Sequence, residues 1–291
     1  MMSVLITGAS GFLGRQVTAV ARSAGAEIVA FGRQVPAGPA SDQLRFIAGD
    51  LATGAGMEAV PWDRLDAVIH LAAAGVKASR RNWPEAVDVN LVGTARLLTQ
   101  LSRRALRRPV VFVARTFYED AMASTPALRE NPYIMTKAGS TTLVRLWRDG
   151  YGGRVMLGSL FQLYGPGDDP NNVLSYAARS LKASQSCLLG SGRNRRDWLY
   201  IDDAASAVWE AVREPERCSA EFDIGAGALW SIAEVVRELA RLAGADERLL
   251  QFDPGRDRGD QGFELAAARF LPGWQPQVSL AEGLKKLYEA T

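Results

Sequence analysis

Tyr133 and Lys137 stand four residues apart in the run Tyr133-Ile134-Met135-Thr136-Lys137. On a helix that spacing puts both side chains on one face, about one turn from each other. A free phenol titrates near pH ~10 and is a poor acid or base at neutral pH. An ammonium group beside it stabilises the phenolate and draws that value down. Such a pair can give a proton to a ketone oxygen or take one from a carbinol. The same spacing also arises as a half-buried aromatic beside a solvated amine. A nicotinamide site earlier in the chain separates the two readings.

The start of the chain has the pattern of one. Val4-Leu5-Ile6 is a short apolar run ending in Thr7-Gly8-Ala9-Ser10-Gly11-Phe12-Leu13-Gly14, and an amphipathic stretch follows from Phe12 to about Ala24. This reads as strand, glycine turn, helix. Glycines at 8, 11 and 14 allow a tight turn, close approach to a pyrophosphate and close helix–strand packing. The helix start then offers unpaired amides and a positive dipole end to the phosphate. The spacing Gly-x-x-Gly-x-x-Gly differs by one from the usual dinucleotide fingerprint. Glu27 to Phe31 reads as a second strand, and Gly32-Arg33 follows where NAD enzymes place an acid for the ribose hydroxyl. An arginine there suits a 2′-phosphate, which favours NADP, with NAD as the other candidate. A solvated loop arginine is the bland reading.

Further strands are expected at Leu44–Ala48, Ala67–Ala73, Val110–Ala114 and Arg154–Leu160, with a long helix from Pro84 to about Leu106 and another from Tyr133 to about Tyr151. Alternation of strands and helices implies a parallel sheet with helices on both faces. Asp50-Leu51 could meet an adenine amino group or cap a turn. Leu71, Ala72 and Ala73 would let a dinucleotide lie against a strand end. His70, inside an apolar strand, reads as a core histidine. Arg115 and Thr116 lie at the carboxyl end of the fifth strand, where open α/β sheets place their chemistry. After Tyr164-Gly165-Pro166-Gly167 the elements shorten, with capping-box patterns at Ser231–Glu234 and Ser279–Glu282. The expectation is an α/β protein, a Rossmann doubly wound parallel sheet over residues 1–165 with a smaller, partly interleaved C-terminal α/β substrate-binding lobe over residues 166–291.

Bulk properties exclude several classes. The 291 residues carry a net charge of +2, and the short arginine clusters lack the density and aromatic interleaving of a nucleic-acid stripe. Two cysteines, Cys187 and Cys218, have neither metal-ligand nor disulfide-framework spacing, and a single histidine disfavours a zinc site. No metal is expected. Without a charged and apolar leader before Val4, and without an apolar run of membrane-spanning length, the chain is expected in the cytoplasm, with no membrane partner.

Gly8-x-x-Gly11-Phe12-x-Gly14, Asp50-Leu51, His70-Leu71-Ala72-Ala73, Asn90-x-x-Gly93-Thr94, Tyr133-x-x-x-Lys137, Tyr164-Gly165-Pro166-Gly167 and Arg196-Asp197 with Asp202-Asp203 occur in this order. Together they resemble the extended short-chain dehydrogenase/reductases, the superfamily of nucleotide-sugar epimerases, dehydratases and reductases. The resemblance implies Tyr133, Lys137 and a Ser or Thr after the fifth strand as catalytic residues. Thr116 is that candidate, with Ser124 and Thr125 as alternatives because the loop up to Tyr133 is short. It also implies dinucleotide contacts from Gly8, Ser10, Gly11, Phe12, Leu13, Gly14, Arg33, Asp50, Leu51, Leu71, Ala72, Ala73, Asn90, Tyr133 and Lys137. Substrate contacts fall on Asn172, Arg196 and Arg258, the two arginines on a sugar-nucleotide diphosphate. A homodimer through the Asn90 and Tyr133 helices is implied as well.

Ala114-Arg115-Thr116-Phe117-Tyr118 lacks the serine pair usual in the family and has no acid pair after the threonine, where the 4,6-dehydratases carry Asp-Glu. With Leu160-Phe161-x-x-Tyr164, the pattern is similar to the branch of CDP-abequose and CDP-paratose synthases, reductases of 4-keto-6-deoxy sugar nucleotides. The implied activity is NADPH-dependent reduction of a C4 ketone. An NAD-retaining 4-epimerase and a non-catalytic dinucleotide sensor are the alternatives.

Overall fold

The computed structural model describes residues 1–35, 42–77, 81–122, 124–257 and 264–291. Among them are twelve strands: β1 Ser3–Thr7, β2 Glu27–Gly32, β3 Leu44–Ala48, β4 Ala67–His70, β5 Val110–Thr116, β6 Val155–Leu160, β7 Gln162–Tyr164, β8 Cys187–Leu189, β9 Arg195–Tyr200, β10 Glu221–Ile224, β11 Leu229–Ser231 and β12 Leu250–Phe252. Nine α-helices accompany them: α1 Phe12–Ser23, α2 Trp83–Ala86, α3 Thr94–Arg104, α4 Tyr118–Ala121, α5 Pro132–Tyr151, α6 Val173–Lys182, α7 Ile201–Arg213, α8 Ile232–Ala243 and α9 Leu280–Glu289.

Seven strands form one sheet in the order β10-β6-β5-β4-β1-β2-β3, with every pairing parallel. The order reverses at β1, between β2 and β4, which is where such sheets open a crevice above their carboxyl ends. The inner strands are apolar on both faces: Val4, Ile6, Ala67, Val68, Ile69, Val111 and Phe112 are all fully buried. That is what a parallel sheet covered on both sides requires. One face carries α1 against α7, and the other carries α3 against α5. The expected doubly wound α/β fold is therefore present.

The helix expected as one piece from Pro84 to Leu106 is three. Asn82 caps the short α2, a π-helical segment runs Val87–Gly93, and α3 follows. The wide turn carries Asn90, whose buried amide bonds both the loop after β4 and α5, and hydropathy period alone does not reveal such a bulge. Gly93 meets the loop after β3 closely, since a Cβ there would lie 2.9 Å from the Leu51 Cβ.

The segment after Tyr164 leaves the large sheet and then returns to it. It builds two small sheets, β11-β9-β7 and β12-β8, and between β9 and β11 it sends β10 back to pair with β6, Glu221 opposite Leu157. Three buried carboxylates pin the late chain onto this frame. Asp197 accepts the amides of Ala226, Gly227 and Ala267 at 2.6, 2.8 and 2.9 Å. Asp223 accepts those of Ala268 and Arg269, and Asp203 those of Gln277 and Val278. Ser231 and Glu234 form a full capping box at α8, whereas Ser279 supplies only the forward half at α9, accepting the Glu282 amide.

Candidate active site

The glycine turn lies at the carboxyl end of β1. Gly8 has φ of 77°, in the left-handed region, and a Cβ on it would lie 2.7 Å from the Ala72 amide nitrogen. A Cβ on Gly14 would lie 2.0 Å from the Gly8 carbonyl oxygen, so α1 can start directly against the strand only without a side chain there. Gly11 is exposed, and a Cβ on it would meet only the Gly8 oxygen, at 3.1 Å. Gly11 is also the N-cap of α1 and provides no side-chain cap, so the amides of the first turn, from Phe12, Leu13 and Gly14, face outward. An open glycine face over uncapped amides fits a pyrophosphate.

The floor of the cleft is wired together through His70. The Thr94 hydroxyl donates to the Asn90 carbonyl at 2.6 Å, so it must accept from His70 Nε2 at 3.0 Å. His70 Nδ1 then accepts from the Thr7 hydroxyl at 2.7 Å, and Thr7 accepts the Ala72 amide. This fixes the ring as the neutral Nε2–H tautomer, and burial, helped by the Lys137 charge, lowers its pKa to about 3. His70 is the core histidine that its apolar strand suggested. Asn90 accepts the Ala74 amide at 2.7 Å and donates to the Ala74 carbonyl and to Thr136 at 3.1 and 2.9 Å. It therefore joins the loop after β4 to α5, the helix of Tyr133.

Asn131 caps α5 by accepting the Tyr133 amide at 3.1 Å, and Pro132 occupies the first turn. Tyr133 thus opens the helix, with its phenol near Thr116 at the end of β5. Of the three hydroxyl candidates, Thr116 is the one brought to the phenol; Ser124 donates to Ala121, and Thr125 is buried in the following turn. Lys137 is buried, and its ammonium donates to the Ala114 carbonyl at 2.6 Å.

The electrostatics differ from the simplest expectation for the pair. The phenol pKa is raised, first by burial and next by the carboxylate of Glu119, while the Thr116 hydrogen bond and Arg81 oppose this. The Lys137 ammonium donates to the carbonyl of the adjacent strand. Burial lowers the Lys137 pKa, and Glu119 works against that.

The other predicted contacts sit around this centre. Arg33 follows β2 and is exposed, 3.8 Å from Glu85. Asp50 accepts the Ala52 amide at 2.8 Å and so caps a turn, with Leu51 buried beneath it. Asn172 is the N-cap residue of α6 and donates to Asp168 at 2.8 Å. Arg196 lies on β9, opposite Trp230, and is buried. Arg258 lies outside the described residues. Sequence reasoning missed Arg15, which reaches from α1 to the Ser10 and Gly167 carbonyls, and Lys77, which pairs with Asp169 at 2.9 Å. It also missed Glu119, whose spacing three residues beyond Thr116 matches a capping box.

A parallel sheet with a glycine turn at its crossover and a Thr, Tyr and Lys group beside it defines a dinucleotide-dependent enzyme class, and residues 4–225 match the model of the NAD dependent epimerase/dehydratase family. The chain belongs to that family. It is 29% identical to a UDP-glucose 4-epimerase of Mycolicibacterium smegmatis, over 99% of this chain and 98% of that one. It is 28% identical to a dTDP-glucose 4,6-dehydratase of the same organism, over 95% and 88% of the two chains. Among solved structures, MoeE5 in complex with UDP-glucuronic acid and NAD superposes with a TM-score of 0.81 at 26% identity, covering 99% and 98% of the chains. Among the described residues no helix is long and apolar enough to cross a membrane.

Proposed function

We propose that this protein is a reductase that uses NADPH on the C4 ketone of a nucleotide-linked 4-keto-6-deoxy sugar. The carrying observation is the grouping of Thr116, Tyr133 and Lys137 at the end of β5, with the Lys137 ammonium bonded to the Ala114 carbonyl of that strand and a phenol whose pKa burial raises. A reaction that begins by handing a proton to a ketone oxygen needs the phenol in its acid form. One that begins by oxidising a hydroxyl needs the phenolate.

In this reading Tyr133 donates its proton to the oxygen of the ketone and Thr116 orients that oxygen. The dinucleotide, when bound, supplies the hydride. Gly8, Ser10, Gly11, Phe12, Leu13 and Gly14 hold its pyrophosphate; Arg33 meets a 2′-phosphate; Asp50, Leu51, Leu71, Ala72, Ala73 and Asn90 line or fix the cleft. Lys137 binds the nicotinamide ribose. Residues 1–165, completed by α7 and β10 from later in the chain, form the dinucleotide-binding domain, and the rest of residues 166–291 the partly interleaved substrate lobe, where Asn172, Arg196 and Arg258 meet the sugar nucleotide. The protein works in the cytoplasm as a homodimer formed through the Asn90 segment and α5, whose Leu146 is 74% exposed.

Phe117-Tyr118 after Thr116 puts no acid where elimination of water would need one. The next carboxylate, Glu119, is occupied by Arg115 and the Thr116 amide. A second reading is a 4-epimerase with retained NAD, favoured by the near full-length relative of that name. NADPH oxidation with a panel of 4-keto-6-deoxy sugar nucleotides tests the choice. The reductase consumes the cofactor stoichiometrically with the sugar, and Tyr133→Phe lowers turnover by roughly 10²–10⁴ with dinucleotide affinity unchanged. Cofactor-independent interconversion of two sugars by a protein carrying tightly bound NAD would instead establish the epimerase.

A further inference from the structure

Residues 165–172 join β7 to α6, yet they are fastened to the dinucleotide cleft at two points. The first tie comes from α1. Arg15, directly after Gly14, donates from one nitrogen to the Ser10 carbonyl at 3.2 Å and from another to the Gly167 carbonyl at 2.8 Å. One guanidinium thus holds the glycine turn and residue 167 together. The contact is close: a Cβ on Gly167, whose φ is 82°, would lie 2.9 Å from that second nitrogen. The second tie comes from the loop after β4. Lys77 Nζ lies 2.9 Å from Asp169 Oδ2, and Ala72 of the same loop lies against Gly8.

The carboxylate is built to make that second tie. Asp169 Oδ1 accepts the Asn171 amide at 2.9 Å and the Asn171 side chain at 3.1 Å. The Asp169 carbonyl accepts the Asn172 amide at 2.9 Å, and Asp168 separately accepts the Asn172 side chain at 2.8 Å. The turn therefore fixes the Asp169 carboxylate and leaves Oδ2 for Lys77. Asp169 is only 13% exposed, so the pair is partly shielded from solvent, while the ammonium sits on a flexible stem that can let go. The two anchors stand on either side of the glycine turn: α1 begins at its end, and the Lys77 loop lies against its start. Between them are Gly11 and the uncapped amides of Phe12, Leu13 and Gly14, the place that fits a pyrophosphate.

We propose that residues 165–169 are a strap closed over the dinucleotide pyrophosphate, and that the Lys77–Asp169 ion pair is the latch that sets how fast the dinucleotide leaves. The inference goes beyond the reductase reading and needs only that the cleft binds a dinucleotide. With the latch open, Arg15 alone holds the strap, through carbonyls that carry no net charge. The competing role for Lys77 is that of a direct pyrophosphate ligand, with Asp169 as its rival for the ammonium. The two roles give opposite signs when the Asp169 charge is lost. A latch without its carboxylate opens and releases the dinucleotide sooner. A phosphate ligand freed from its rival holds the dinucleotide longer.

The test is stopped-flow release of NADPH, and of NADH, from the preformed complex into excess NADP or NAD, read by nicotinamide fluorescence. Asp169→Asn keeps an oxygen for Asn171 and removes the charge. Its release rate should exceed the parent's by about fivefold at low salt. That excess should vanish near ~1 M NaCl, where charges are screened within about 3 Å. Lys77→Met should release as fast as Asp169→Asn, and the double variant no faster than either, because all three lack the same interaction. Unchanged or slower release from Asp169→Asn overturns the proposal, as does a double variant whose effects add, or a parent that binds neither dinucleotide. Circular dichroism checks the fold. Should Asp169→Asn not fold, amide hydrogen exchange across residues 165–172 in Lys77→Met replaces it: faster exchange than the parent's sustains the latch, and equal exchange refutes it. Release rates do not depend on turnover, so a parent that binds dinucleotide but reduces no 4-keto sugar refutes the reductase reading alone.

Discussion

Tyr133 and Lys137 share a helix face as their spacing dictates, yet they do not act on each other in the simplest way. The ammonium donates to the Ala114 carbonyl, and the half-buried phenol has its pKa raised, first by burial and next by the Glu119 charge. The helical pair was legible because periodicity fixes relative direction along one element. Glu119 was not, because its partners Arg115 and the Thr116 amide lie on the preceding strand, and no period spans the turn between strand and helix. His70 shows the same limit from the other side: its apolar surroundings marked it as a core residue, while its two threonine partners come from distant segments. Its titration has a definite sign. The ring stays neutral in the fold, with a pKa of about 3 against 6.5 for a free histidine. The unfolded chain therefore binds the extra proton between those values, and stability contributed in full above pH ~6.5 is lost as pH falls through that window. His70→Gln should flatten the stability slope over pH 4–6 by roughly 1 kcal/mol per pH unit. Urea midpoints of the two proteins across that range, if parallel, would remove His70 from this role.

At the scale of elements, β1 and α1 are joined so closely that chemistry and packing cannot be separated. The strand-turn-helix unit was readable because three glycines in fixed spacing follow a β-branched, apolar run. What the spacing did not reveal is which glycine does what: Gly14 permits packing, Gly8 permits the turn, and Gly11 opens the face. Gly14→Ala places a methyl group 2.0 Å from the Gly8 oxygen and must shift the start of α1. We expect dinucleotide affinity to fall by about 100-fold or more, as the amides leave their aim. Titration calorimetry with NADPH and with NAD checks this; unchanged affinity for both would mean that the first turn of α1 holds no phosphate. The π segment at Asn90 is the counter-example, an element whose type was hidden because a single inserted residue leaves the apolar pattern of the helix nearly intact.

Across the whole molecule, the parallel, doubly wound sheet followed from alternating strands and helices, but the return of β10 to it did not. Short strands such as β7, β8 and β11 carry too few residues for a period to emerge. The late chain is placed by the carboxylates of Asp197, Asp203 and Asp223 reaching backbone amides far along the sequence, and amides leave no mark in composition. Asp203→Ala strands the Gln277 and Val278 amides, at a cost of about 2–4 kcal/mol. The melting temperature should drop by roughly 4–8 °C, with faster amide exchange in α9. An unaltered melting curve would show that α9 docks through its apolar face alone.

The central claim is a direction of hydride flow, and the most direct measurement traces the hydride itself. NADPH deuterated at C4 of the nicotinamide, incubated with the protein and a 4-keto-6-deoxy sugar nucleotide, should give a product with one deuterium at C4 of the sugar and an equal amount of NADP. Unreacted 4-keto sugar beside intact NADPH, with deuterium-free C4 inversion of a nucleotide-linked 4-hydroxy sugar in a parallel incubation, would contradict it.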